Sequence, residues 1–182
     1  MNIEELLLPG SAHRAHVSSP EMDPLVEEDA LQEAQVLDVR FDALAGVVGV
    51  IFELRQALQI QEANTGVLVV RGVRTLAWDG PARETMVTAW SVGSSVPRVR
   101  DRLFELSLVL WPHPGARLTL TAETAEFVVG DVPGLSEVPP DYSERDRVAL
   151  RNEVACWSSP FEPVSAVFVD AAPELGGRGD AR

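Results

Sequence analysis

Alternation of apolar and polar residues begins near Gln35 and recurs in short runs to about residue 170. Leu37, Val39 and Phe41 fall on one side of an extended chain and Asp38, Arg40 and Asp42 on the other, a period of two that predicts a half-buried strand. Ala43 to Gly46 reads as a turn and Val47 to Arg55 as a second strand. With those four residues as the loop, Phe41 faces Val48, Val39 faces Val50 and Leu37 faces Phe52, so the apolar sets coincide. Further runs lie at Gly66 to Arg71, Arg74 to Trp78, Thr85 to Val92, Leu103 to Trp111, Arg117 to Thr121, Glu126 to Val129 and Ser165 to Val169. Asp79-Gly80-Pro81, Val92 to Pro97 and Pro112-His113-Pro114-Gly115 read as the turns between them. The pattern predicts a mainly β fold, an antiparallel β-sandwich or open barrel of about nine strands. One short helix is expected in the C-terminal third, over Arg145 to Ala155, where Ser143 and Asp146 imitate a capping box and Val148, Ala149, Leu150 and Ala155 supply an apolar face. Gln56 to Ala63 suits a short helix or an extension of the preceding strand and is read as strand.

Charge divides the chain differently. Residues 1 to 34 hold eight acids against Arg14, with Pro20 and Pro24 breaking any period. This predicts an acidic N-terminal arm, mobile over residues 11 to 32. Residues 35 to 170 form the single β-rich domain, and 171 to 182, with three glycines, a frayed tail. Within the arm, Leu6, Leu7 and Leu8 are consecutive and apolar; as a docking segment they would add to the domain's sheet edge or bind a partner.

Composition narrows the function. At 182 residues, 46% hydrophobic, with a formal net charge of −13, the chain can bury a sizeable core while repelling nucleic-acid backbones and anionic membranes. No apolar run approaches the ~20 residues of a membrane span, and the first residues carry acids where a signal peptide carries bases, so a cytoplasmic protein is expected. All its basic residues are arginine. A Schiff-base lysine, a lysine nucleophile and a P-loop lysine are thereby excluded. The single cysteine, Cys156, permits no internal disulfide.

Chemical motifs are sparse. His13 and His16 form H-x-x-H without a third metal ligand at suitable spacing, and His113 between prolines reads as a solvated turn residue. Cys156 beside Trp157 reads as a small buried hydrophobe. Trp78, Trp90 and Trp157 are expected in the core, Trp111 at the surface. No catalytic residue, metal or cofactor is assigned.

The informative features are a charge cluster and a loop. From Leu118 to Glu144 the chain carries Glu123, Glu126, Asp131, Glu137, Asp141 and Glu144 and no arginine, whereas Arg71, Arg74, Arg83, Arg98, Arg100 and Arg102 crowd residues 71 to 102. The domain is then bipolar, unless the charges neutralise each other across strands. Gly130 to Tyr142 is the longest expected loop, with prolines that lower its ordering cost and with Leu135 and Tyr142 as apolar anchors. These residues, Glu123, Glu126, Asp131, Leu135, Glu137, Asp141, Tyr142 and Glu144, are the candidate partner-binding set, and the partner would be a protein with a basic patch. A plain crossover connection is the alternative.

In Asp38-Val39-Arg40-Phe41-Asp42, Val50 to Arg55 and Gly66 to Trp78 the chain resembles small β-rich bacterial proteins, uncharacterised or of immunity-protein type. That resemblance spans residues 35 to 130 in pattern and implies a non-enzymatic module capping a toxin's active surface. A structural or assembly subunit, and a small-ligand-binding or carboxylate-using enzyme, are the other readings.

Overall fold

A computed structural model describes residues 1–10, 17–81, 89–113, 115–142 and 147–171. Among the described residues, nine strands form one open antiparallel sheet and no closed barrel: β1 (Gln35–Asp42), β2 (Val47–Glu53), β3 (Thr65–Arg71), β4 (Thr75–Asp79), β5 (Trp90–Arg100), β6 (Leu103–Trp111), β7 (Ala116–Ala122), β8 (Thr124–Asp131) and β9 (Glu162–Asp170), in the order β4-β7-β6-β5-β1-β2-β3-β8-β9. The β1–β5 ladder that joins the two halves of the sheet is short, Gln35↔Ser91 and Val36↔Trp90 among the described residues. The sheet therefore folds over, and one main core takes Val48, Val50 and Phe52 of β2, Leu68 and Val70 of β3 and Phe127 of β8 from one half. From the other it takes Phe104, Leu106 and Leu108 of β6 and Leu118 and Leu120 of β7. Strands β6 and β7 alternate buried and half-buried or exposed side chains as the period of two requires.

The β1–β2 hairpin shows the expected pairs Phe41↔Val48 and Val39↔Val50, but a bulge replaces Leu37 by Val36 opposite Phe52. The extra residue turns Leu37 towards a second core while Val36 and Val39 stay with the first. Phe41, expected inside, is 53% exposed at the hairpin tip.

Strands β2, β3 and β8 are buried on both faces. Their outer face carries Val47, Ile51, Val67, Val69 and Val128, and it is covered by Ile3 and Leu6 of a 3-10 helix (Ile3–Leu7) together with Ala155, Trp157 and Phe161. The docking segment therefore covers a face of its own sheet and adds to no edge: Leu6 is buried, Leu7 packs beside it and Leu8 is exposed. Arg71 holds the helix end by donating to the carbonyls of Leu6, Leu7 and Leu8 at 2.8–3.1 Å. Close approach is possible because Gly49 lies beneath Trp157; a Cβ there would sit 2.5 Å from the indole Cη2.

The acidic arm needs the largest correction. Leu25, Ala30, Leu31 and Ala34 are all buried, and residues 29–34 run on from β1 along β5. Asp29 N–H donates to Ser95 O, Glu33 N–H to Val92 O and Val92 N–H to Ala34 O. The Asp29 carboxylate also accepts from Ser94 Oγ and Ser95 N–H. Asp29 and Glu33 adopt φ of 60° and 62°, turning the chain so that irregularly spaced apolar residues all face inward. No period marks such a segment. Hydrogen exchange should accordingly show protected amides at Asp29, Leu31 and Glu33; exchange there at free-peptide rates would contradict this packing.

Three other expectations change. Val92 to Pro97, read as a turn, is the middle of β5, with a bulge between Val92 and Ser94. Its glycine and serines serve packing: Trp111 lies against Gly93, and buried Ser95 accepts from Leu31 N–H. Gln56 to Ala63 is neither strand nor helix but an irregular plug that buries Ala57 and Ile60 in the main core. The C-terminal helix is a single turn, Arg147–Leu150; Ser143 and Asp146 lie outside the described residues, as do His13, His16, the first part of the Thr85 to Val92 run and the 172–182 tail.

Candidate functional site

Strands β1, β3, β5 and β9 start, and β2, β6 and β8 finish, at the same end of the sheet, and there the 132–142 loop crosses the surface. Its base is clasped by a buried ion pair. The side chains of Glu53 and Arg55 are 1% and 4% exposed. Arg55 Nε and Nη2 both bond the Glu53 carboxylate. Nη1 reaches Ser136 O at 2.8 Å and Val138 O at 3.3 Å, and Nη2 also donates to Glu153 O at 3.0 Å. The fork of a guanidinium suits this division of donors, which fixes loop, sheet and C-terminal segment to one another. Asn64 anchors the loop's start, exchanging hydrogen bonds with Val132 while its N–H donates to Asp131 Oδ1.

The clasped loop leaves a cleft on each side. The larger, about 520 Å³, is lined by Gln35, Gln56, Ser91, Trp111, Pro112, Pro139, Pro140, Asp141 and Tyr142. Trp111 is 48% exposed there. Among the lining residues, Gln35 is 6% exposed and donates its amide to Gln56 Oε1, while its own Oε1 and the Tyr142 hydroxyl are buried without a hydrogen-bond partner among the described residues. Each such atom costs about 1–3 kcal/mol. Burial pushes the Tyr142 hydroxyl well above the ordinary phenol range, Glu53 adds to the rise and Arg55 offsets part of it, so it stays protonated near neutrality. The smaller cleft, about 480 Å³, lies between Gln61, Asn64, Asp131, Leu135 and Glu137.

The structure divides the predicted acidic face. Glu123 precedes β8 and pairs with Arg74. Asp131 ends β8, about 25 Å away at the rise of an extended chain. Between them Glu126 is buried on the face that carries Val128. What comes together at the loop end is Asp131, Leu135, Glu137, Asp141 and Tyr142, with Leu135 packed on the second core; Glu144 lies outside the described residues. Asp131 is a structural acceptor, and Glu137 and Asp141 are exposed.

Aromatic residues gather at the same end. Trp78 meets Trp90 edge to face at 5.2 Å, and Trp90 meets the His113 ring at 5.9 Å. Trp157 is in the core and Trp111 at the surface as expected, but Trp78 is 44% exposed on the edge strand β4. Gln35, Gln56 and Ser91 were not singled out by sequence. Asp141 and Tyr142 of the candidate loop, and Trp111, flagged by its proline turn, did point towards this cleft.

Cys156 departs from its expected inert burial. Partial burial pushes the thiol up, but hydrogen bonds from Ser158 and Ser159 outweigh this and hold it below the ordinary thiol value of 9.0. Alkylation of the native chain should therefore reach half its maximal rate at a pH below that value, and Ser158→Ala with Ser159→Ala should move the midpoint upward. An unchanged midpoint in the double variant would contradict this account.

No family model and no curated protein matches the chain. Among solved structures it is similar to an uncharacterized protein from Neisseria gonorrhoeae, at 12% identity and a TM-score of 0.41, over 53% of this chain and 90% of that one.

Proposed function

We propose that this protein is a non-enzymatic binding module that caps a basic protein partner, in the manner of an immunity-type inhibitor, through the sheet end bearing the 132–142 loop. The observation that supports this reading is the larger cleft, where a half-exposed tryptophan and three prolines form apolar walls beside unpaired polar atoms. Such a combination suits a partner's anchoring side chain. Glu137 and Asp141, both exposed, lie one on each cleft. They would steer a cationic surface towards a chain whose net charge is −13. The assembly-subunit reading is weakened, since Leu6 and Leu7 of the segment that would dock elsewhere pack on this chain's own sheet.

The test compares capture from native cell lysate by the wild type, by Glu137→Arg with Asp141→Arg, and by Glu123→Arg at the far end. The loop variant should slow association by roughly tenfold or more and make the remaining binding less salt-sensitive, while Glu123→Arg behaves as wild type. Equal recovery of the same partners by all three would reject the assignment.

A further inference from the structure

Resting on that reading, we infer that the larger cleft receives a proline-rich segment of the partner in the polyproline II conformation, with basic residues beside it. The strand register shows what faces the cleft. Trp111 on β6 lies opposite Ser91 on β5, and Ser91 lies opposite Gln35 on β1. Directly opposed residues of antiparallel strands share a face, and all three line the cleft. Ser91 therefore forms the floor between an indole and an amide, and beyond its Cβ it has only a hydroxyl to present. Trp111 is held by its pyrrole edge, since a Cβ on Gly93 would meet Nε1 at 2.2 Å and Cδ1 at 2.4 Å, while the residue stays 48% exposed. Pro112, Pro139 and Pro140 complete flat apolar walls. Beside the floor, Gln56 accepts from Gln35 through Oε1; its own Nε2, like the Ser91 hydroxyl, donates to nothing among the described residues.

Of the ways a protein takes up a peptide, this place suits one. Strand addition needs an open edge, and the backbone at Ser91 is paired on both sides, with Trp111 and with Gln35. A helix needs more room: two turns make a cylinder about 10 Å across and 11 Å long, roughly 850 Å³, against the cleft's 520 Å³. A polyproline II segment is slim and keeps its shape without internal hydrogen bonds; its carbonyls accept, while its prolines have no N–H to donate. It matches proline and indole walls above a floor of donors. The partner's positive charge then belongs to the flanks. No basic side chain lines the cleft, Glu137 is exposed on the other side of the loop, and the chain carries −13, so basic flanks are attracted and acidic ones repelled.

The experiment titrates the full chain with hexaproline flanked by arginines, hexaproline flanked by aspartates, and an equally long glycine-serine peptide flanked by arginines. It follows the amide resonance of Ser91 and the indole N–H of Trp111, assigned with Trp111→Phe. The arginine-flanked proline peptide should bind saturably, on the order of a millimolar or tighter, and at least about tenfold more tightly than the glycine-serine peptide. It should exceed the aspartate-flanked form by about threefold at low salt, a difference that shrinks as salt is added. Ser91→Ala should weaken binding about fivefold, as for one lost hydrogen bond, and Trp111→Ala by about tenfold or more. Trp78→Ala, which removes an exposed indole on β4, should leave it unchanged. Should Trp111→Ala fail to fold, Ser91→Ala and the comparison of peptides on the wild type still decide. No saturable shift, equal affinity for the glycine-serine peptide, or full affinity in the Ser91 and Trp111 variants would overturn the inference. If the proline peptides fail while Glu137→Arg with Asp141→Arg still loses its partner from lysate, the segment is wrong and the loop-end surface stands. If they bind while all three chains of the capture test recover the same partners, the cleft's ligand stands and the steering by Glu137 and Asp141 fails.

Discussion

Replacing Arg55 with alanine is expected to cost about 3–5 kcal/mol of folding stability, because it strands the Glu53 carboxylate in a site where that side chain is 1% exposed. The same change removes the donors that hold Ser136 O, Val138 O and Glu153 O. It should therefore expose the 132–142 loop to cleavage after Glu137 by a glutamate-specific protease at temperatures where the sheet is still folded. Replacing both partners by a hydrophobic pair of similar volume should recover much of the loss, since an uncharged site has no carboxylate to desolvate. Urea unfolding of the three chains measures this. A loss below about 1 kcal/mol for Arg55→Ala, the range of surface pairs, would contradict the clasp.

Trp157→Ala should be of similar size, about 3–5 kcal/mol for a buried aromatic. The indole closes the second core above Gly49, donates its N–H to Asp38 Oδ2 at 2.8 Å and lies under the Arg40 guanidinium, 4.7 Å from the ring centroid. Its carbonyl accepts from Glu4 N–H, so the loss should loosen the Ile3–Leu7 helix from β2 and β3. Amide exchange at Ile3 and Glu4 should accelerate in the variant while the amides of β6 and β7 keep their protection. Uniform acceleration, or none, would show that the covering layer and the sheet are not organised in this way.

The strands were legible wherever one face meets the core and the other meets solvent, as in Leu103–Trp111, whose observed limits match the alternation residue for residue. Legibility failed where tertiary partners replaced local pattern. Gly93, Ser94 and Ser95 carry turn chemistry, yet Trp111 packs on Gly93, Asp29 accepts from Ser94 and Ser95, and Leu31 donates to Ser95, all within β5. Leu25, Ala30, Leu31 and Ala34 reach the core through positive-φ turns at Asp29 and Glu33, which no periodicity announces. At the site, acidity was legible but its distribution was not. Strand β8 places Glu123 and Asp131 at opposite ends and buries Glu126 between them, and only pairing against β3 and β9 decides that. The floor of the cleft depends on Gln35 and Tyr142, more than 100 positions apart in the chain, and no spacing rule brings them together.

The central claim is that the partner engages the end of the sheet bearing the 132–142 loop. Val138, 70% exposed in that loop, and Val99, 57% exposed near the β5–β6 hairpin at the other end, are matched surface positions for a photoreactive benzophenone side chain. Irradiation of cells carrying each variant should yield a crosslinked protein partner from position 138 and none from position 99, with the 138 product abolished by Glu137→Arg and Asp141→Arg. A partner crosslinked from position 99 and not from 138, or equally from both, would contradict the account.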